Sequence, residues 1–363
     1  MKIDLSLVDS EQFMVHQHFV GDHSVALIQP VHIGAVWQKD TTIFRSSVWD
    51  MEGNPVSLSF KKFWNWGEKP ELAPIPPSLY GAELLEKLDG STLLFSRYKG
   101  HTVIRTRGTV DARKQENGYE IDYLIQKYPK FVEFLETFET TPCTYAFEWL
   151  SPSNKIVINY GDEPQMVLTA IIDHMSYTYV PQNSLDDWAV KLELPRPKRY
   201  AYNSIEEMKA AVEAFSGLEG LCIYHREGQE ILKVKSAEYL AKHRMKSELS
   251  NIEKVIDLWF IAGRMPYQEF FDYCSKTFDH EIATDARGFI STICDGWKEV
   301  LTIEKSMREK ALELDGLPRK AQAEIVLQKW GQTNRASFVF RILDGKEWND
   351  DIYKKLLYQI IKK

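Results

Sequence analysis

Cysteine is scarce: Cys143, Cys222, Cys274 and Cys294 are the only four in 363 residues. None stands at the short spacing of a thiolate metal site, and their scatter fits reduced, mostly buried thiols of a cytosolic protein. Long apolar runs are missing too. No stretch approaches the ~20 residues of a membrane-spanning helix, so no membrane partner is expected. The first residues, from Met1 to Phe13, lack the basic start and apolar segment of a signal peptide. A cytoplasmic location is therefore expected. Nor is there a surplus of positive charge, since 45 Lys and Arg against 52 Asp and Glu give a formal net charge of −7. That balance excludes a uniformly basic nucleic-acid coat but leaves room for one basic groove. His101, His174 and His225 lack zinc-type spacing and read as ordinary polar residues. Repeats and low-complexity tracts are absent.

What is present is enough for two domains. Short β-rich runs recur at residues 92–96, 103–106, 145–149, 156–160, 167–172, 221–224 and 231–235. Lys99-Gly100 and Glu227-Gly228 stand where hairpins would turn. Residues 121–139 carry apolar side chains at helical spacing, and residues 204–215 open with Ser204 and Glu207 in a capping-box arrangement. After about residue 245 the three-to-four-residue apolar spacing takes over, at 251–262, 266–277, 297–314 and 319–330. The expected fold is α+β, with antiparallel sheets in residues 1–243 and an all-helical domain in residues 244–363.

The sharpest local feature is Glu86-Lys87-Leu88-Asp89-Gly90-Ser91, set between two apolar runs. Alone, such a motif is usually a solvated turn; its weight comes from the company it keeps. Upstream lie Phe44-Arg45-Ser46 and Lys61-Lys62-Phe63-Trp64-Asn65. Downstream follow Arg105-Thr106-Arg107-Gly108-Thr109, Phe147-Glu148-Trp149-Leu150-Ser151-Pro152, Leu218-Glu219-Gly220-Leu221 and Lys233-Val234-Lys235-Ser236. Taken in order, these six runs and the lysine motif resemble the covalent nucleotidyltransferases, and within them the tRNA-repair RNA ligases of T-even bacteriophages (the RNA ligase 1 family). The likeness runs from about residue 45 to residue 246. A DNA ligase or a GTP-using capping enzyme of the same superfamily is one alternative, and a nucleotide- or RNA-binding protein without catalysis is another.

The resemblance implies a nucleotidyltransferase fold and an ATP-dependent ligase that joins RNA 3′-hydroxyl and 5′-phosphate ends through a lysyl–AMP intermediate. It implies ATP and Mg2+, with Mn2+ as a substitute, as cofactors. Single-stranded RNA or cleaved tRNA would be the partner, and a monomer is the default state. Lys87 would be the nucleophile, with Lys233, Lys235 and Glu219 beside it in catalysis. Arg45, Lys62, Trp64, Glu86, Gly90, Arg107 and Glu148 would join Lys87, Glu219, Lys233 and Lys235 around the nucleotide, with Trp64 stacked on adenine. Glu148 and Glu219 would hold the metal through water, with Tyr239 nearby. Elementary chemistry adds one expectation. A lysine attacks phosphorus only when deprotonated, so cations crowding Lys87 should lower its pKa. The basic residues Arg196, Lys198 and Arg199 form either a contact for RNA phosphates or a plain basic loop.

Overall fold

A computed structural model describes residues 1–31, 34–137, 142–278, 280–333 and 335–362. The chain divides into two compact units, Met1–Ala241 and Lys242–Lys363.

The first unit contains three sheets. Phe13–Val20, His23–Pro30, Ser47–Asp50 and Pro55–Ser57 form an antiparallel sheet near the N-terminus. A second antiparallel sheet orders Gln165–Asp173, Cys143–Leu150, Ser91–Tyr98 and His101–Thr106. The third orders Arg199–Tyr200, Glu83–Lys87, Gly220–His225, Glu230–Lys235 and Trp64–Asn65, and only its last pairing is parallel. Lys99 and Gly100 both take positive φ, as a two-residue hairpin turn between Tyr98 and His101 requires.

Period-two alternation sorts each strand's side chains between two environments. Tyr145, Phe147 and Trp149 pack with Phe131 and Phe134 of the Pro129–Thr137 helix, while Ala146 faces a central core shared with Leu85, Leu94, Tyr224 and Ile231. Likewise Leu84, Leu221, Ile223 and Leu232 pack under Met208 and Val212 of the Ile205–Glu213 helix. The opposite faces of those strands therefore turn Lys87, Cys222, Lys233 and Lys235 toward the space between the second and third sheets.

Two expected elements differ. The helix expected over residues 121–139 is two helices, Glu120–Lys127 and Pro129–Thr137, because Pro129 lacks an N–H and disfavours helical geometry at Tyr128. Residues 138 and 139 lie outside the described residues. The strand expected over residues 156–160 is a loop: the N–H groups of Val157 and Ile158 donate to the Asp89 carboxylate instead of to a neighbouring strand. The 204–215 reading is met in a modified form. Ser204 Oγ accepts from Glu207 N at 3.1 Å, and the Glu207 carboxylate reaches back to Asn203 N, one residue earlier than in a standard capping box.

The second unit is helical. Ile252–Ile261, Tyr267–Thr277, Arg287–Glu313, Arg319–Trp330, Ala336–Leu343 and Asp350–Ile361 enclose one core around Trp259, Phe270, Ile293, Val300 and Leu357. Gly296 marks a close approach there, since a Cβ would stand 3.0 Å from Leu357. Among the described residues, no helix of the chain is long and apolar enough to cross a membrane.

Candidate active site

Between the second and third sheets lies a cleft of about 460 Å3. Its polar centre is built by register. Gly220 pairs with Lys87 on one side and Lys235 on the other, so two lysines flank a residue without a side chain. Only glycine fits: φ is +151°, and a Cβ would stand 1.9 Å from the Val234 carbonyl oxygen. The adjacent Glu219 is 2% exposed, and its carboxylate bridges the two lysines. One oxygen accepts from Lys87 Nζ at 2.8 Å, and the other is 2.9 Å from Lys235 Nζ. One row further along, Leu85, Cys222 and Lys233 are neighbours across the same face.

The turn after Lys87 is fixed from below. Asp89 is buried, and its carboxylate accepts from Val157 N at 2.7 Å, Ile158 N at 2.9 Å and the Tyr239 hydroxyl at 2.7 Å. Its own N–H donates to the Tyr160 hydroxyl. Gly90 sits where a Cβ would be 2.5 Å from the Trp149 carbonyl oxygen, and its N–H donates to Glu148 at 3.1 Å. Glu148 thus enters the cleft from the second sheet, on the face opposite Phe147 and Trp149.

Electrostatics corrects one expectation. Burial depresses the Lys87 pKa, but attraction to Glu219, with smaller contributions from Cys222 and Glu148, outweighs it and leaves the value raised. The group that cationic crowding depresses is Lys233: burial first, then Arg45, Lys87, Lys235 and Lys62, bring it to about 8. Burial pushes Glu148 up to about 7 against the pull of Lys87. Arg45 falls to about 10 through burial and the nearby Arg107.

Of the residues expected at the site, Arg45, Glu86, Lys87, Gly90, Arg107, Glu148, Lys233 and Lys235 line this cleft, and Glu219 binds two of them. Lys62 and Trp64 line a second cavity, also of about 460 Å3. Lys62 stays within electrostatic reach of Arg45 and Arg107, whose charges help to depress its pKa after burial. Trp64 is 4% exposed and pairs with Leu232, whose side chain belongs to the outer core. Its neighbour Phe63 lines both cavities, with Arg45 4.9 Å and Lys233 5.3 Å from its ring centre. Tyr239 donates to Asp89 at 2.7 Å, feels the charge of Glu219, and has Lys235 Nζ 4.8 Å from its ring centre. Arg196 and Arg199 pair with Asp186, and Arg199 also with Glu83.

Sequence reasoning passed over Arg105. Its fully buried guanidinium donates to Ser57 and Ser46 through side-chain and backbone oxygens, and to the Thr106 carbonyl. The Ser46 hydroxyl in turn donates to the Arg107 carbonyl at 2.7 Å, tying the backbones that present Arg45 and Arg107. Its alternation with Arg107 in Arg-Thr-Arg was the available signal.

The cleft thus gathers Arg45, Arg107, Lys87, Lys233 and Lys235 around the carboxylates Glu148 and Glu219. The model of the RNA ligase family matches residues 50–271. A protein of Autographa californica nuclear polyhedrosis virus, provisionally named a bifunctional polynucleotide kinase/RNA ligase, is 24% identical over 222 residues, 56% of this chain and 31% of that protein. One from Thermovibrio ammonificans, provisionally named an RNA ligase, is 27% identical over 207 residues, 55% of this chain and 52% of that protein. The chain thus spans about a third and about half of these two proteins. An RNA ligase of Rhodothermus phage RM378 is 24% identical over 371 residues, 85% of this chain and 82% of that protein. With more than half of its length covered by the family's model, the chain belongs to the RNA ligase family.

Proposed function

We propose that this chain is an ATP-dependent RNA ligase that captures AMP on Lys87. The carrying observation is the bridge from Glu219 to Lys87 and Lys235, with Lys233, Arg45 and Glu148 around it. Lys87 Nζ would attack the α-phosphorus of ATP; a P–N bond forms, the P–O bond to pyrophosphate breaks, and the amine gives up its proton. AMP then passes to a 5′-phosphate oxygen of RNA as the P–N bond breaks. A 3′-hydroxyl attacks that 5′-phosphorus and expels AMP, closing the phosphodiester.

The raised pKa of Lys87 makes Glu219 the restraint on the first step. Once Glu219 turns to another cation, burial and the nearby Lys233 favour the neutral amine, against the smaller pull of Cys222 and Glu148. Lys233, Lys235 and Arg45 orient the phosphates and offset their charge. Glu148 and Glu219 are the carboxylates that would hold Mg2+ or Mn2+, an ion that shares phosphate oxygens and keeps several waters. The donor set fits such an ion: Glu148 lines the cleft and Glu219 reaches two of its lysines, so two carboxylates stand beside the cations that would hold the phosphates. Bound there, the ion would supply further charge neutralisation at the phosphates.

Under this reading the chain joins single-stranded RNA or cleaved tRNA ends in cytoplasmic RNA repair as a monomer. Residues 1–243 carry the chemistry. α-Labelled ATP with Mg2+ should label the wild type and leave Lys87→Ala unlabelled; label on that variant refutes the nucleophile. GTP as donor and nicked DNA as acceptor should fail, and success with either moves the chain to a capping or DNA-joining role. Ligation of a cleaved anticodon loop against a plain oligoribonucleotide decides whether tRNA is preferred.

A further inference from the structure

We infer that Ser59 reads the base of the bound nucleotide. The inference deepens the adenylyl-transfer reading and concerns the part of the cleft that reading leaves undescribed. Lys87, Lys233, Lys235 and Arg45 gather the phosphates at one end. The lining also includes Arg107, Gln115, Asn117 and Asn154, and Phe60, Leu85, Pro197, Cys222 and Tyr224 give it an uncharged stretch. A flat, uncharged group belongs there, and in a nucleotide that group is the base.

Ser59 lines the same wall. It is 1% exposed, and its hydroxyl has no hydrogen-bond partner. The neighbouring hydroxyl, Thr169 Oγ1, is already used on the Ala146 carbonyl at 2.9 Å. A buried hydroxyl left alone is costly, so one facing a ligand cleft is a group waiting for the ligand to pair it. Its position is also held from three directions. The Ser59 carbonyl accepts from the Tyr177 hydroxyl at 3.0 Å; Leu58 N donates to Thr144 Oγ1 at 2.9 Å; Lys61 N donates to the Tyr179 hydroxyl at 2.8 Å. A hydroxyl fixed in this way is pre-organised to donate to a ring nitrogen or accept from an exocyclic amine, and adenine offers both.

The test is equilibrium binding of α,β-methylene-ATP, which cannot transfer AMP and so reads the base contact apart from the chemistry. Ser59→Ala should weaken binding about tenfold, the effect of one lost hydrogen bond, and leave the melting temperature within a few degrees. In the wild type, an analogue lacking either the 6-amino group or the ring nitrogen N7, N1 or N3 that the hydroxyl engages should bind about tenfold more weakly. In Ser59→Ala that same analogue should bind as the parent does. Unchanged affinity in the variant, or analogue preferences identical in both proteins, overturns the inference. Should Ser59→Ala fail to fold, the wild-type analogue series decides alone: equal affinity for every analogue refutes a base contact here. Absence of any AMP adduct from ATP in the wild type would refute the ligase reading while leaving this binding measurement intact.

Discussion

Replacing Glu219 with Gln isolates the restraint on Lys87. The carboxylate is 2% exposed and stands 2.8 Å and 2.9 Å from two lysine nitrogens whose side chains are 19% and 22% exposed. At an effective permittivity near 20, each pair represents about 6 kcal/mol of direct attraction, most of it offset by desolvation. A hydrogen bond between charged groups retains about 1.5–3 kcal/mol net. Losing that hold on the ammonium form should raise the fraction of free amine at fixed pH by about ten- to a hundredfold, at roughly tenfold per 1.4 kcal/mol. The assay is pulse acetylation of the nucleotide-free protein near pH 8, with Lys87 followed by peptide mass spectrometry and an exposed lysine as reference. Glu219→Gln should acetylate faster at Lys87 yet capture AMP from ATP at least tenfold more slowly, having lost the group that would hold the cation. The sign for stability is the reverse. A lysine whose folded-state value is raised contributes stability below pH 10.5 that disappears as the pH climbs through the raised value. The variant should therefore be less stable throughout the neutral range, by less than the roughly 3–5 kcal/mol of a fully buried broken pair, because water reaches both lysines. If Lys87 is no more reactive in Glu219→Gln than in the wild type, the restraint does not exist.

The remaining expectations follow from the same geometry. With Glu148 raised to about 7 by burial, adduct formation should decline as pH falls through 7; Glu148→Gln should be slow but lack that limb, and a wild-type rate flat from pH 6 to 8 would refute the role. Because the raised carboxylate value costs stability as pH rises from 4.5 through about 7, Glu148→Gln should melt no lower than wild type at pH 8, as a thermal scan will read. Phe63→Ala should raise the half-saturating ATP concentration severalfold, whereas Trp64→Ala should lower stability by about 3–5 kcal/mol and leave that concentration within twofold; reversed results would return Trp64 to the nucleotide. Gly90→Ala, whose Cβ would stand 2.5 Å from a backbone oxygen, should retain the fold but lose at least tenfold in the adduct rate. Wild-type rates in that variant would show that the turn needs no close approach.

All four strands of the second sheet, and Gly220–His225 and Glu230–Lys235 of the third, were legible as β-rich runs between turn signals, whereas Glu83–Lys87, Trp64–Asn65 and Arg199–Tyr200 were not. The first sheet was missed. The false strand at residues 156–160 shows the converse. Ile156, Val157 and Ile158 have strand composition, but the N–H groups of Val157 and Ile158 serve Asp89, a partner 68 residues away for Val157. At the site, ordered motifs located nearly every charged group, since charge needs no knowledge of facing. Trp64 stands outside the cleft lining for a geometric reason. In a run of adjacent aromatics, only the pairing with Leu232 decides that Trp64 turns outward, leaving Phe63 in the cleft. Ser59 and Arg105 could not be weighed without the structure, because a missing partner and a set of buried partners are both tertiary facts.

The two strongly perturbed groups in the cleft pull in opposite directions, and that fixes what the cleft is complementary to. Lys233, depressed to about 8, loses stability for the chain as pH falls from 10.5 through 8; Glu148, raised to about 7, loses it as pH rises from 4.5 through 7. Between about pH 7 and 8 both groups therefore sit largely in their costly charged forms in the lining of one cleft. A single internal rearrangement cannot relieve both, since Glu219, the carboxylate best placed to calm the cations, is already committed to Lys87 and Lys235. Relief must come from outside and in two signs: negative charge against Lys233 and Arg45, positive charge against Glu148. A metal–nucleotide complex carries both in one ligand, whereas phosphate or a divalent ion alone satisfies half of the cleft. The stored cost is then recovered only when the complete complex is seated, and seating it is also what draws Glu219 away from the amine that has to react.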